Sequence, residues 1–153
     1  MPIDDTPGPT LRQAWMAVLA RASGAELEPL AGPLLPDYTR VRGPETGLVM
    51  LQGRAGGTGQ AFNLGEATVA RCTVRTEGDL VGHAYRLGRD LRGAELAAAV
   101  DAALQDPARH DAIHAAVVAP LAARQAAVRA ETARRAAATQ VHFFTMATMR
   151  GGS

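Results

Sequence analysis

The run Gly53-Arg54-Ala55-Gly56-Gly57-Thr58-Gly59 is the segment best suited to hold an anion. Glycines let backbone N–H groups approach a phosphate closely, and the Arg54 guanidinium could add a fork of donors. Established phosphate signatures nevertheless fail. A P-loop needs Gly-Lys before Ser or Thr, and the chain has no lysine. The dinucleotide fingerprint needs a third glycine opening a helix, whereas Gly59 leads into Gln60-Ala61-Phe62. The competing reading is a connection between two strands. Arg54, Gly56, Gly57 and Gly59 stand as ligand-binding candidates on backbone chemistry alone.

Glu66, Arg71 and Cys72 follow. In an uninterrupted strand Glu66 and Cys72 point to one face and Arg71 to the other. Glu66 and Arg71 join the ligand-binding candidates, although such pairs more often form structural or interfacial ion pairs. Cys72 has no neighbouring base to activate it and reads as a small core residue. His110 and His114 have the i, i+4 spacing of a zinc-binding helix, but Asp111 replaces the glutamate and no third ligand accompanies them. They read as two exposed histidines, with no metal expected. His83 lies on the apolar face of a strand and reads as hydrogen-bonded and partly buried. The lack of lysine also excludes Schiff-base and lysine general-base chemistry. No catalytic residue emerges.

Composition narrows the class further. Sixteen basic residues, all arginine, against 15 acidic ones give a net charge of +1, which is no footprint for nucleic acid or an anionic membrane. A single cysteine forbids an internal disulfide and points to a reducing compartment. The N-terminus carries Asp4 and Asp5 without an apolar stretch, and no apolar run approaches the ~20 residues that span a bilayer. The expectation is a soluble cytoplasmic protein. With 47% hydrophobic residues but only 4% aromatics, much of the core must come from alanine, which buries little area per residue. Such a domain gains from docking on a partner.

The elements that position these residues form an α+β pattern. Residues 1–9 carry three prolines and no periodicity, and read as a disordered tail preceding a single domain over 10–150. Thr10 and Ser23 are N-caps of two helices, the second failing at Gly32-Pro33. Tyr38–Arg42 alternates, Gly43–Gly47 reads as a turn, and Leu48-Val49-Met50-Leu51 reads as a strand covered on both faces. Residues 66–75 and 80–87 read as a hairpin, with Val81, His83, Tyr85 and Leu87 sharing a face. Leu96, Val100 and Leu104 line a helix. Asp106-Pro107 starts another, carrying Ile113, Val117 and Leu121, with Pro120 as a kink or break. Residues 140–148 read as a final strand. The expected fold is a small antiparallel β-sheet with hairpins, packed by N-terminal helices and a C-terminal helical region.

Several strings, taken in order, carry a resemblance. They are Gly47-Leu48-Val49-Met50-Leu51, the glycine run 53–59, Phe62-Asn63-Leu64-Gly65-Glu66-Ala67-Thr68-Val69 and Arg71-Cys72-Thr73-Val74-Arg75. Gly82-His83-Ala84-Tyr85, Leu87-Gly88-Arg89-Asp90, Asp101-Ala102-Ala103-Leu104-Gln105-Asp106 and Thr139-Gln140-Val141-His142-Phe143-Phe144-Thr145-Met146 continue the series. From about Trp15 to Arg150 the chain resembles PhnG, the G subunit of the bacterial carbon–phosphorus lyase core complex. The resemblance implies a subunit, inactive alone, that assembles with I, H, J and K partners in more than one copy. With I, and with H and L, it would support attack of methylphosphonate on C1′ of ATP. Adenine leaves, giving α-D-ribose 1-methylphosphonate 5-triphosphate. It implies no cofactor on this chain, ATP being a substrate of the complex. In that family the chemistry is attributed to I, and G is a companion.

Three readings follow: a docking companion of I; a contributor of Arg54, glycine-loop or Arg71 contacts to a shared phosphonate or triphosphate site; and a stand-alone ligand-binding domain. For the first, the strand region 46–90 and the aromatic pair Phe143-Phe144 are the expected partner surface. Adjacent residues in a strand face opposite ways, so one ring of that pair needs a second surface to cover it.

Overall fold

The computed structural model describes Gly8 and residues 10–139. The expected final strand with His142, Phe143 and Phe144, and the N-terminal tail apart from Gly8, lie outside the described residues. The chain divides into two compact units, Met1–Ala122 and Ala123–Ser153.

The first unit opens with two short helices, each begun by a reciprocal capping box. Thr10 accepts from the Gln13 amide and Gln13 from the Thr10 amide at the start of α1 (Leu11–Leu19); Ser23 and Glu26 do the same for α2 (Gly24–Ala31). After a 3₁₀ turn at Gly32–Leu34 the chain enters a three-stranded antiparallel sheet in the order β1 (Tyr38–Arg54), β2 (Ala61–Thr76), β3 (Val81–Leu87). The expected turn at Gly43–Gly47 is instead an irregularity inside β1. Gly43 has φ +71° and is joined to Pro44 by a cis peptide, while Arg42 still pairs with Thr73 and Glu45 with Arg71. Gly43 and Pro44 together oppose Cys72, so one extra residue is absorbed as a bulge and the ladder resumes.

The sheet is floored by α3 (Leu91–Leu104), whose residues Gly93–Leu104 are all buried. This is more than the one-sided stripe of Leu96, Val100 and Leu104 read from the sequence: a helix wrapped on all sides uses alanine wherever a neighbour comes close. The approach is closest at β3. A Cβ on Gly82 would run into the Ala98 carbonyl oxygen and lie 2.6 Å from the Ala102 nitrogen. The core face of β3 is therefore Gly82, Ala84 and Arg86. Val81, His83, Tyr85 and Leu87 do share a face, but it is the outward one, and His83 is exposed there with its Nδ1 3.1 Å from the Thr73 hydroxyl. Bulk marked the wrong side because at Gly82 and Ala84 the helix leaves room only for small residues on the right one.

Asp106 caps α4 (Pro107–Ile113), as its pairing with Pro107 predicts. Pro120 does not break the chain of helices. Its ring would collide with the carbonyl four residues earlier, and the turn before it, His114–Val118, widens to π geometry with the Ala119 amide donating to the His114 carbonyl. The next helix, α5 (Ala119–Ala138), then continues. Ile113, Val117, Val118 and Leu121 enter the core. The described part of the second unit is the remainder of α5, an exposed helix rich in alanine and arginine in which Glu131 pairs with Arg134 and Arg135.

Candidate assembly surface

Beyond the end of β3, where Leu87 faces Val69, strands β1 and β2 run on as a two-stranded arm to the turn at Ala55–Gly57. Residues 48–54 at about 3.3 Å each make it roughly 23 Å long. Leu48 and Met50 stand opposite Thr68 and Glu66 on one face; Val49 and Leu51 stand opposite Ala67 and Gly65 on the other. The strand expected to be covered on both faces is covered on neither: Leu48 is 63% exposed, Met50 53%, Phe62 47% and Leu64 63%. Its apolar run is long enough for a core strand, but no helix of the first unit extends over it. The sequence signal for this was cross-strand and hidden: the run faces Thr68 and Glu66 in register, and Glu66 is a partner that a core strand would not take. Isolated exposed leucines are ordinary, whereas apolar groups gathered on both faces of one arm make it a candidate interaction surface.

The candidate residues are spread along this hairpin rather than gathered. Arg54, Gly56, Gly57 and Gly59 form the tip, where Gly56 (φ +62°) and Gly57 (φ +79°) take the left-handed conformation that glycine permits. Arg54 is exposed and makes no ion pair among the described residues. Glu66 is exposed on the face shared with Leu48 and Met50. Arg71 lies at the root, roughly 30 Å from the tip by register. Its Nε donates to Glu45 Oε1 at 2.8 Å, and its guanidinium carbon is 3.2 Å from where a Cβ on Gly47 would stand. Arg71, and then Arg42, hold the Glu45 carboxyl below its ordinary range. Within one chain Arg71 and the glycine turn therefore do not meet.

Cys72, Asp101, Glu95 and His110 are committed to the fold. Cys72 is 2% exposed, and burial, helped by the charge of Glu95, pushes its thiol up, away from the reactive thiolate. Asp101, with no exposure, accepts from Arg12 Nε and Nη2, Trp15 Nε1 and the His83 amide at 2.7–3.1 Å. Glu95 accepts from Arg40 twice and from the Tyr38 hydroxyl; burial opposes its ionisation, but these donors and the nearby Arg92 outweigh it and keep the carboxyl below its ordinary range. His110 is half-buried rather than exposed, with its ring 5.4 Å from that of Trp15 and its Nδ1 2.8 Å from the Leu104 carbonyl. His114 is exposed and stacks on it at 5.8 Å. Asp101 and Glu95 were missed as hubs because their partners Arg12, Trp15, Tyr38 and Arg40 are far away in sequence, whereas Asp90, which caps α3 by accepting from the Gly93 amide, was missed although that partner is three residues away.

The family model described as "Phosphonate metabolism protein PhnG" matches residues 10–151. The chain is also 48% identical over 145 residues to the "Alpha-D-ribose 1-methylphosphonate 5-triphosphate synthase subunit PhnG" of Rhizobium meliloti (strain 1021), covering 93% of this chain and 92% of that protein. An α+β domain with a projecting apolar arm and its polar chemistry locked into structure is thus matched by a subunit of a synthase. This chain belongs to the PhnG family of phosphonate metabolism proteins. Among the described residues no helix is long and apolar enough to cross a membrane.

Proposed function

We propose that this chain is a docking subunit of a cytoplasmic complex that joins methylphosphonate to C1′ of ATP, releasing adenine and forming α-D-ribose 1-methylphosphonate 5-triphosphate. The name of the 48%-identical relative supports the reaction. The observation that carries the docking role is the arm, whose apolar side chains are exposed on both faces. Its partner is chiefly the I subunit, with H, J and K completing the assembly around more than one copy, and Phe143 and Phe144 adding a second anchor. Catalysis falls to the partner, since Cys72, Arg71, Asp101 and His110 are each held by the fold. ATP enters as substrate, and this chain holds no cofactor. The test is adenine release from ATP and methylphosphonate, followed by chromatography, with the G-type chain alone, the other subunits alone and all together. Turnover only in the complete mixture is expected; adenine release by the purified chain alone overturns the reading.

A second reading has its own support. In it Arg54, exposed beside the glycine turn at the end of the arm, contacts a triphosphate or phosphonate site shared with the partner; its exposure supports the reading, while Arg71 is paired with Glu45 at the root. Arg54→Ala should then raise KM for ATP or methylphosphonate in a normally assembled complex. Unchanged KM rejects this contact.

A further inference from the structure

Strand β3 is one of the two edges of the sheet among the described residues, so every second residue presents its backbone N–H and C=O outward. One half of that edge is closed by side chains. The Val81 carbonyl accepts from Arg12 Nη2 and Gln105 Nε2, and the His83 amide donates to Asp101 Oδ2 at 3.0 Å. The other half is open. The His83 carbonyl, both backbone groups of Tyr85 and the Leu87 amide have no partner among the described residues, while the alternate residues Gly82, Ala84 and Arg86 form the pairs with β2. Beneath the open half lies a cleft of about 250 Å³ walled by α1 from Met16 to Ala20, by Ala97 of α3, and by His83, Ala84 and Tyr85 of β3. Above it Tyr85 is 55% exposed and Leu87 71%.

We infer that the open half of the β3 edge, His83–Leu87, is a strand-addition site for an extended segment of a partner subunit. The unpaired backbone row requires an extended chain, because only a strand offers donors and acceptors at that spacing. The floor specifies its side chains: one inward-facing residue must be apolar and of leucine or methionine size to fill the cleft, and the next residues face Tyr85 and Leu87. Edges of soluble proteins are ordinarily blunted along their length. Here Arg12, Gln105 and Asp101 blunt only the first half, and the half left open runs toward the root of the arm at Val69. The inference rests on the docking role proposed above and adds a second contact, distinct from the arm.

The test is backbone hydrogen exchange on the full chain, free and within the complex purified after co-expression of its subunits. The Tyr85 and Leu87 amides should exchange rapidly in the free chain and at least tenfold more slowly in the complex. Ala17→Glu, which charges the exposed α1 wall of the cleft, and Tyr85→Pro, which removes the central donor, should each weaken assembly at least tenfold with little change in Tm. Ala14→Glu, on the exposed part of α1 outside the cleft, is the control and should assemble normally. Unprotected Tyr85 and Leu87 amides in an assembled complex overturn the inference while leaving the docking role intact. Protection already present in the free chain, whether from a second copy or from residues 140–153, overturns it too. Loss of assembly through the arm variants alone, with Ala17→Glu neutral, assigns docking to the arm and rejects the edge.

Discussion

Asp101 sits at the junction of α1, β3 and α3, and four donors converge on its carboxylate. Replacing one oxygen by an amide nitrogen turns a donor toward donors and removes the charge that holds Arg12. Asp101→Asn should therefore destabilise the fold by about 3 kcal/mol, read from the urea unfolding midpoint. Asp90 is a second junction: its two oxygens accept from the Gly24 and Gly93 amides, tying the starts of α2 and α3 together. Burial opposes its charge, yet these donors and Arg86 keep its carboxyl, like that of Glu95, below the ordinary range. The sign follows directly. Between the depressed folded value and the ordinary one the unfolded chain binds more protons, so stability is full at neutral pH and falls as the pH drops below about 4. Unfolding midpoints at pH 7, 5 and 3 should show little loss over the first step and a clear loss over the second, smaller in Glu95→Gln. Cys72 is placed as its neighbours in sequence implied, but the carboxylate hubs were not legible. Arg12 and Asp101 are 89 residues apart, and no local spacing encodes that pairing.

At the scale of elements the local signals were the reliable ones. Thr10, Ser23 and Asp106 begin helices because a cap is decided within a few residues, and the 66–75 and 80–87 strands pair as a hairpin for the same reason. What depended on neighbouring elements was lost: which face of β3 is inward, and whether the 48–51 strand is covered. The close approach of α3 decides the first. Gly82→Ala puts a methyl group into the α3 backbone, which has no side chain to move aside, and should cost about 3 kcal/mol, measured by thermal unfolding. The tip behaves oppositely. Gly57 has open space but φ +79°, so Gly57→Ala should cost only the ~1 kcal/mol of a left-handed alanine and leave the core's exchange protection unchanged. A Gly57→Ala variant whose whole core loses protection would show that the arm and the sheet fold as one unit.

For the whole molecule, the scarcity of aromatics and the abundance of alanine favoured a domain that docks on a partner, and the name of the 48%-identical relative agrees with a subunit role. The site itself was only half legible. The strand region 46–90 was singled out as a candidate surface, but the arm's exposure appears only once the packed elements show where α3 ends and β3 stops. If the arm is the anchor, its outer residues should matter to binding and not to folding, since nothing in the described fold packs over them. The decisive measurement is calorimetric titration of the I subunit with the wild-type chain and with Leu48→Glu and Met50→Glu, alongside their melting temperatures. The account predicts affinity lowered at least a hundredfold, about 2.7 kcal/mol, with Tm unchanged. Wild-type affinity in both variants would contradict it.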